Sequence, residues 1–448
     1  MTKPNILFIM TDQQSRHMMS CTGYPYVKTP AMDSIAESGV RFERAYCTNP
    51  VCVPSRFSLV TGRMPSEIKL QANGPVGLDE IPEDIKKTGL GWKLQEAGYK
   101  AVFAGKQHFP KMNAEDLGFE NLTWNERDKL AQMTSDFVAE EHDKPWCLFA
   151  SFINPHDICY MAIRDHADGD LQKGIMERAT DEIIELDAAL AKAEEIPADE
   201  FWEKHCPPLP PNFEPQEQEP EAINQLINKR SFRINARNNW DEKRWRLHRW
   251  AYAKLTERAD GQIQKLLDSL RSGPYADNTV IFFTSDHGDH NSSHKLEHKT
   301  VPYEEAAGIP MLLSDPNGVS GQVDETNLVS NGLDVYPTIC DYAGIEIPPH
   351  IKGRSLRPLV TGKPLEPARN AVPIECEIGN VVVSKDYKYM KCFDGEHSEQ
   401  LYDLVNDEFH TKNFASEQEA VLQEQRKEFE SLHPKHSVAE KNYKDSLN

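Results

Sequence analysis

The chain has 448 residues, 39% hydrophobic and 27% charged, with 50 Lys+Arg against 71 Asp+Glu for a formal charge of −21. That composition is that of a folded globular protein and excludes a disordered one. The acidic balance argues against a broad nucleic-acid groove or an anionic membrane surface, although a local cluster of cations can still hold a small anion. No apolar run approaches the roughly 18 residues of a membrane span. The length exceeds the roughly 250–300 residues at which one core stops growing. A large domain over 1–364 and a smaller C-terminal subdomain over 365–448 are therefore expected.

Taken in order, the first element is Ile6–Met10, five apolar residues leading into Thr11-Asp12-Gln13. It is too short for the apolar core of a signal peptide, which needs about 7–15 residues, so a cytoplasmic location is expected unless a leader has been removed. A helix is predicted over Thr29–Ser38. The segment Val51–Gly62 reads as a short helix, with Pro54 in its first turn and Gly62 as its stop. A helix over Gly91–Ala97 precedes the apolar run Lys100–Ala104, which ends in Gly105-Lys106-Gln107-His108. The run Cys147–Ile153 ends in Asn154-Pro155-His156-Asp157. Residues 193–222, rich in proline and acid, read as an irregular surface excursion. A long helix is predicted over Asp241–Leu270, closed by Gly273-Pro274. The run Val280–Thr284 then ends in Ser285-Asp286-His287-Gly288-Asp289-His290.

Apolar runs without polar alternation suit strands covered on both faces, and their alternation with helices predicts an α/β fold with a large, mostly parallel sheet flanked by helices. Ligands of such sheets bind beyond the carboxyl ends of the strands, where all four polar clusters would lie. Beyond about 365 the pattern changes to short strands at Val381–Val383, Tyr387–Met390 and Leu401-Tyr402, then a helix over Ser416–Leu432, a smaller α+β subdomain whose last dozen residues are expected to fray. The nine cysteines (Cys21, Cys47, Cys52, Cys147, Cys159, Cys206, Cys340, Cys376 and Cys392) are odd in number and lack CxxC spacing, which predicts reduced thiols.

Cys52 stands where a helix N-terminus would favour anions and a thiolate, and Arg56, one turn on, carries a fork suited to a tetrahedral oxyanion. The stretch Cys52-x-Pro54-Ser55-Arg56, with Thr61-Gly62-Arg63 after it, resembles the signature of the formylglycine-dependent (type I) sulfatases of the alkaline phosphatase-like superfamily. Flanking matches run from Pro4 to about Phe414. The resemblance implies that Cys52 is converted by a maturation enzyme to formylglycine, whose hydrate attacks sulfur to give a covalent sulfo-enzyme. It implies a divalent cation, Ca2+ with Mg2+ or another ion as substitutes, held by Asp12, Gln13, Asp286 and His287. Gln13 and His287 stand where the family often has Asp and Asn, and imidazole is an unusual ligand for a hard cation. The resemblance further assigns Lys106, His108, His156 and Lys299 to the site. Lys106 and Lys299 would offset sulfate charge together with Arg56, His156 with Lys299 would protonate the leaving alcohol, and His108 would act as the base that frees sulfate.

The expected activity is hydrolysis of a sulfate ester on a carbohydrate. The alternatives are a phosphonate monoester or phosphodiester hydrolase of the same superfamily, and a catalytically silent binder of sulfated glycans. Three histidines, His290, His294 and His298, read as a solvated or substrate-facing edge. The basic, Trp-containing stretch 228–258 reads as an amphipathic helix with a solvated basic face rather than a nucleic-acid surface, its Arg233–Trp240 part bordering a substrate pocket. Tyr402-Asp403-Leu404 with Asn406-Asp407 resembles the C-terminal subdomain of the family, whose loops help define substrate.

Overall fold

The computed structural model describes residues 3–74, 77–407 and 409–447. Its strands are β1 (Asn5–Asp12), β2 (Val40–Phe42), β3 (Ala45–Tyr46), β4 (Lys100–Gly105), β5 (Glu120–Trp124), β6 (Trp146–Pro155), β7 (Thr279–Ser285), β8 (Met311–Ser314), β9 (Gln322–Asp324), β10 (Val329–Ser330), β11 (Ala371–Cys376), β12 (Gly379–Ser384), β13 (Tyr387–Cys392) and β14 (Glu399–Asp403). The large sheet has the order β5-β4-β6-β1-β7-β8-β2-β9, and β3 pairs separately with β10. Its pairs from β5 to β7 are parallel, and only β8 runs against its neighbours. The mostly parallel α/β sheet anticipated from the apolar runs is therefore present.

Burial explains those runs. Ile6, Phe8 and Met10 enter the core on one face with Phe103, Phe149 and Phe282, and Phe8 stacks on Phe149 at 4.3 Å. Leu7 and Ile9 enter the core on the other face, against Ile263, Leu266 and Leu270. Both faces of β1 are covered, so neither set of alternate residues can be polar. Four helices matter to the site: α1 (Pro30–Glu37), α2 (Cys52–Thr61), α3 (Leu90–Glu96) and α4 (Glu242–Ser272). α4 begins where Asp241 accepts a bond from the Arg244 amide at 2.8 Å, an N-cap, and is followed by Gly273.

Strands β11 to β14 form a separate antiparallel sheet in sequence order, covered by the helix Glu419–Leu432. Two expectations change here. The last residues, expected to fray, are helical over His436–Leu447, where His436 and Tyr443 pack their rings on Phe393 at 5.2 and 5.6 Å. The segment 193–222 is not wholly irregular. Phe201 and Cys206 are buried, Phe201 with its ring 5.0 Å from Trp250, and helical turns span Ala198–His205.

The basic stretch proves to be helical and acid-paired: Arg237 with Glu219, Arg244 with Asp165, Lys254 with Glu257, and Arg258 with Asp128. Trp245 and Trp250 are buried, in keeping with an amphipathic helix. All nine cysteines are free thiols. Among the described residues no helix is long and apolar enough to cross a membrane.

Candidate active site

The four polar clusters end β4, β6, β1 and β7, which are consecutive in the sheet. Asp12 closes β1, and Asp286 follows β7 one residue beyond the Thr11–Ser285 register pair. Parallel pairing with β1 in the middle brings the two carboxylates to one place. α2 then delivers Cys52, its first residue, to the same point. Gly62 ends α2 in the left-handed region at φ 66°, where its amide bonds Ser58 O at 2.7 Å. α2 is buried along its whole length, an arrangement that fixes residue 52 rigidly.

Asp12, Cys52, Asp286 and His287 are all buried, with one ligand atom from each lying within 4.8 Å of the others. Cys52 Sγ lies 3.6 Å from Asp12 Oδ1, 3.1 Å from His287 Nε2 and 3.1 Å from Lys299 Nζ. Burial and Asp12 oppose ionisation of this thiol, but Lys299, Lys106 and His287 outweigh them and hold it well below its usual range. Burial also works against the Asp12 carboxylate, and Lys106, with Arg56 and Lys299, overcomes it, keeping Asp12 well below the ordinary range. Asp286 moves the other way, pushed up by burial and by Asp12.

Arg56 joins the two carboxylates of the cluster. Its guanidinium is fully buried, with Nε donating to Asp286 Oδ2 at 2.7 Å and Nη2 to Asp12 Oδ2 at 2.8 Å. Nη1 donates to Lys106 O at 2.7 Å and Ser151 Oγ at 2.9 Å. The fork expected to meet a substrate oxyanion is engaged by two carboxylates in this structure. Lys106 Nζ bonds the same Asp12 Oδ2 at 2.7 Å and Lys299 Nζ bonds Gln13 Oε1 at 2.7 Å, which places both ammonium groups at the cluster.

His156 follows β6. Its Nδ1 is 3.9 Å from Asp157, which Arg127 holds in turn. Burial and the charge of Lys106 push this imidazole down to about 4, against the pull of Asp12, so it is neutral at pH 7 before an anion arrives. His108 stands apart from the rest. It is exposed, lies in the left-handed region at φ 50°, and makes no hydrogen bond or ion pair to the cluster among the described residues.

The donor set suits a divalent cation. His287 Nδ1 lies 2.8 Å from Gly288 O, so donation there leaves the Nε2 lone pair facing the cluster. Among the described residues, only the Cys52 thiol donates to Asp12 Oδ1. Gln13 Oε1 accepts from Lys299 and from Cys159 Sγ at 3.0 Å, while Gln13 Nε2 donates to Asp289 Oδ2 at 2.6 Å. Carboxylate and amide oxygens suit Ca2+, Mg2+ or Mn2+, and the single imidazole nitrogen extends the range toward transition metals.

Sequence reasoning missed Ser151, Asp289, Cys159 and the Asp157–Arg127 pair. Asp289 lay in view two residues after His287, whereas Ser151 sits inside an apolar run and Arg127 is remote in sequence. His290, His294 and His298 are not a solvated edge. They are 1%, 0% and 6% exposed, His294 stacking on Tyr303 at 4.1 Å and His298 against Phe232 at 5.3 Å.

A profile of the Sulfatase family matches residues 4–345, and one described as N-sulphoglucosamine sulphohydrolase, C-terminal, matches 292–435. The chain is similar to a Delta 4,5-hexuronate-2-O-sulfatase of Bacteroides thetaiotaomicron, 27% identical over 451 residues that cover 93% of this chain and 85% of that one. It is likewise 27% identical to a choline-sulfatase of Rhizobium meliloti, over 92% of this chain and 82% of the other. A solved 2-O GAG sulfatase superposes with a TM-score of 0.81 at 25% identity, covering all of this chain and 94% of that one. The sulfatase profile spans most of the chain, including both aspartates, Cys52 and both lysines of the buried cluster. The chain thus belongs to the sulfatase family, in the alkaline phosphatase-like superfamily, and is an enzyme that hydrolyses sulfate esters.

Proposed function

We propose that this sulfatase removes sulfate from a saccharide, using residue 52 matured from cysteine to formylglycine and one divalent cation, Ca2+ by family resemblance, held by Asp12, Gln13, Asp286 and His287. The observation that carries the reading is a buried Cys52 with two carboxylates, an imidazole and an ammonium group gathered around its sulfur. The saccharide is suggested by the hexuronate and GAG sulfatases to which the chain is similar.

In the matured protein the aldehyde hydrate at residue 52 would supply the nucleophilic oxygen, and a cation held by Asp12, Gln13, Asp286 and His287 would offset charge beside it. The chain's own groups do the rest. Lys106 and Lys299 set two positive charges beside residue 52, where sulfate oxygens crowd during transfer. Arg56 holds Asp12 and Asp286 aligned through its Nη2 and Nε bonds. His156 enters neutral and takes up a proton as the anionic ester docks and offsets Lys106, then passes it to the leaving alcohol, with Lys299 assisting. His108, at the exposed side, serves as the base of the second half-reaction. Because Cys52 is wholly buried, the maturation enzyme acts on the chain before α2 is packed.

The test is a comparison of kcat/KM for aryl sulfate, sulfated mono- and disaccharides and aryl phosphonate esters, on protein co-expressed with a maturation enzyme. Preference for a sulfated saccharide is expected. Preference for the phosphonate would support the phosphonate hydrolase reading instead, and tight binding without turnover would support a silent glycan binder.

A further inference from the structure

Gln13 is the one proposed metal ligand whose donor atom depends on which way its side chain is turned. A carboxylate offers oxygen in either orientation, and the His287 ring is set by Gly288, but an amide presents oxygen on one side and NH2 on the other. The Gln13 backbone is pinned. It lies in the left-handed region at φ 69°, its N–H donates to Asp286 Oδ1 at 3.0 Å, and its carbonyl accepts from the Tyr252 hydroxyl at 2.6 Å. What remains open is the two-fold flip of the side-chain amide.

Asp289 closes it. This carboxylate is wholly buried, with Oδ2 accepting from Gln13 Nε2 at 2.6 Å and Oδ1 from the Asn291 amide at 2.7 Å. The Asp289 amide donates to Ser15 Oγ at 3.0 Å, which anchors the residue. A carboxylate only accepts, so the Gln13 NH2 must face Asp289 and Oε1 must face the cluster. There Lys299 Nζ donates to Oε1 at 2.7 Å and Cys159 Sγ at 3.0 Å, and the same Nζ reaches Cys52 Sγ at 3.1 Å. The two ends of the amide agree, since an ammonium group only donates. Negative charge behind the NH2 also polarises the amide and makes Oε1 a stronger ligand. A plain loop-capping role would use Oδ1 on the Asn291 amide and leave Oδ2 free. Here Oδ2 is spent on Gln13.

We propose that Asp289 is a positioning residue for the metal centre, turning the Gln13 amide so that oxygen and not nitrogen meets the cation. This rests on the metal site proposed above and adds to it a residue outside the four ligands.

The test is a double-mutant cycle read by calorimetric titration of Ca2+ at pH 8 into full-length protein stripped with chelator. Asp289→Asn keeps the size of the side chain and an acceptor for the Asn291 amide, but it turns a donor toward Gln13. The Gln13 amide must then flip and show its NH2 to Lys299 and the cation. Ca2+ affinity is expected to fall about 10–100-fold, the scale for losing an outer partner of a metal ligand. Gln13→Glu offers oxygen on both sides. It should therefore help far more in the Asp289→Asn background, where an NH2 meets it, than beside the native carboxylate, which repels it. A coupling of about tenfold or more between the two positions is expected. For a destabilised variant, the rise in melting temperature on adding Ca2+, taken from that variant's own baseline in chelator, gives the same comparison. Unchanged Ca2+ affinity in Asp289→Asn, or an equal effect of Gln13→Glu in both backgrounds, would overturn the proposal. Failure of the underlying reading looks different: wild-type protein would bind no divalent cation at all, refuting the metal site and this inference with it.

Discussion

At the scale of single residues, Arg56 ties the two carboxylates of the site together. It is a buried cation between two buried carboxylates, and removing one partner of such a group leaves uncompensated charge. Arg56→Met is expected to lower unfolding stability by about 3–5 kcal/mol in chelator. The loss should shrink in excess divalent cation, because a bound ion takes over part of the compensation; urea titrations with and without metal measure both. The residues themselves were legible in the sequence, since Asp12, Cys52, Lys106, His156, Asp286 and Lys299 each stand in a recognisable local pattern. Their partners were not. Nothing in Cys52-x-Pro54-Ser55-Arg56 says that the guanidinium turns toward the carboxylates that end β1 and follow β7. Nor does the spacing of His290, His294 and His298 reveal that Phe232 and Tyr303 cover them.

At the scale of elements, the site depends on how sharply each strand stops. Gly105 ends β4 at φ 91°, and a Cβ there would lie 2.2 Å from Ser151 O on β6. Gly105→Ala therefore meets both a backbone clash and a conformation that L-residues avoid. It should destabilise by about 2 kcal/mol or more. It should also depress turnover by displacing Lys106, the next residue. Thermal melting and aryl sulfate kinetics read the two effects, and a normal melting temperature would show that the strand end has slack. The long buried strands were evident from their apolar runs, which is why the consecutive order β4-β6-β1-β7 agrees with the convergence expected from sequence. The short ones were not. β2, β3 and β8–β10 have two to four residues each, too few to show periodicity. β11 contains Pro373 and survives as a strand because it lies at the edge of its sheet.

At the scale of the whole molecule, the antiparallel sheet meets the catalytic layer through a titrating contact. Glu375 on β11 accepts a bond from the Ser66 amide at 2.8 Å, and burial pushes its carboxyl up to about 7. With the folded value above the unfolded one, the folded state binds more protons between about 4.5 and 7, so stability falls as pH rises through that window. The cost at pH 8 is on the order of 3 kcal/mol. Glu375→Gln should therefore raise the melting temperature at pH 8 and change it little at pH 5; an equal shift at both would rule out titration as the cause. A cation bound only by the folded state adds stability by mass action, about 2.7 kcal/mol at a hundred times its Kd. Chelation should accordingly lower Tm, and add-back of metal should restore it.

The most direct measurement is peptide mass spectrometry across residue 52, made on the same preparation whose sulfate ester turnover has been assayed. The account predicts that active protein carries at this position a residue without sulfur, bearing an aldehyde that a hydrazide reagent traps, in proportion to its specific activity. A fully active preparation with unmodified cysteine there would contradict it.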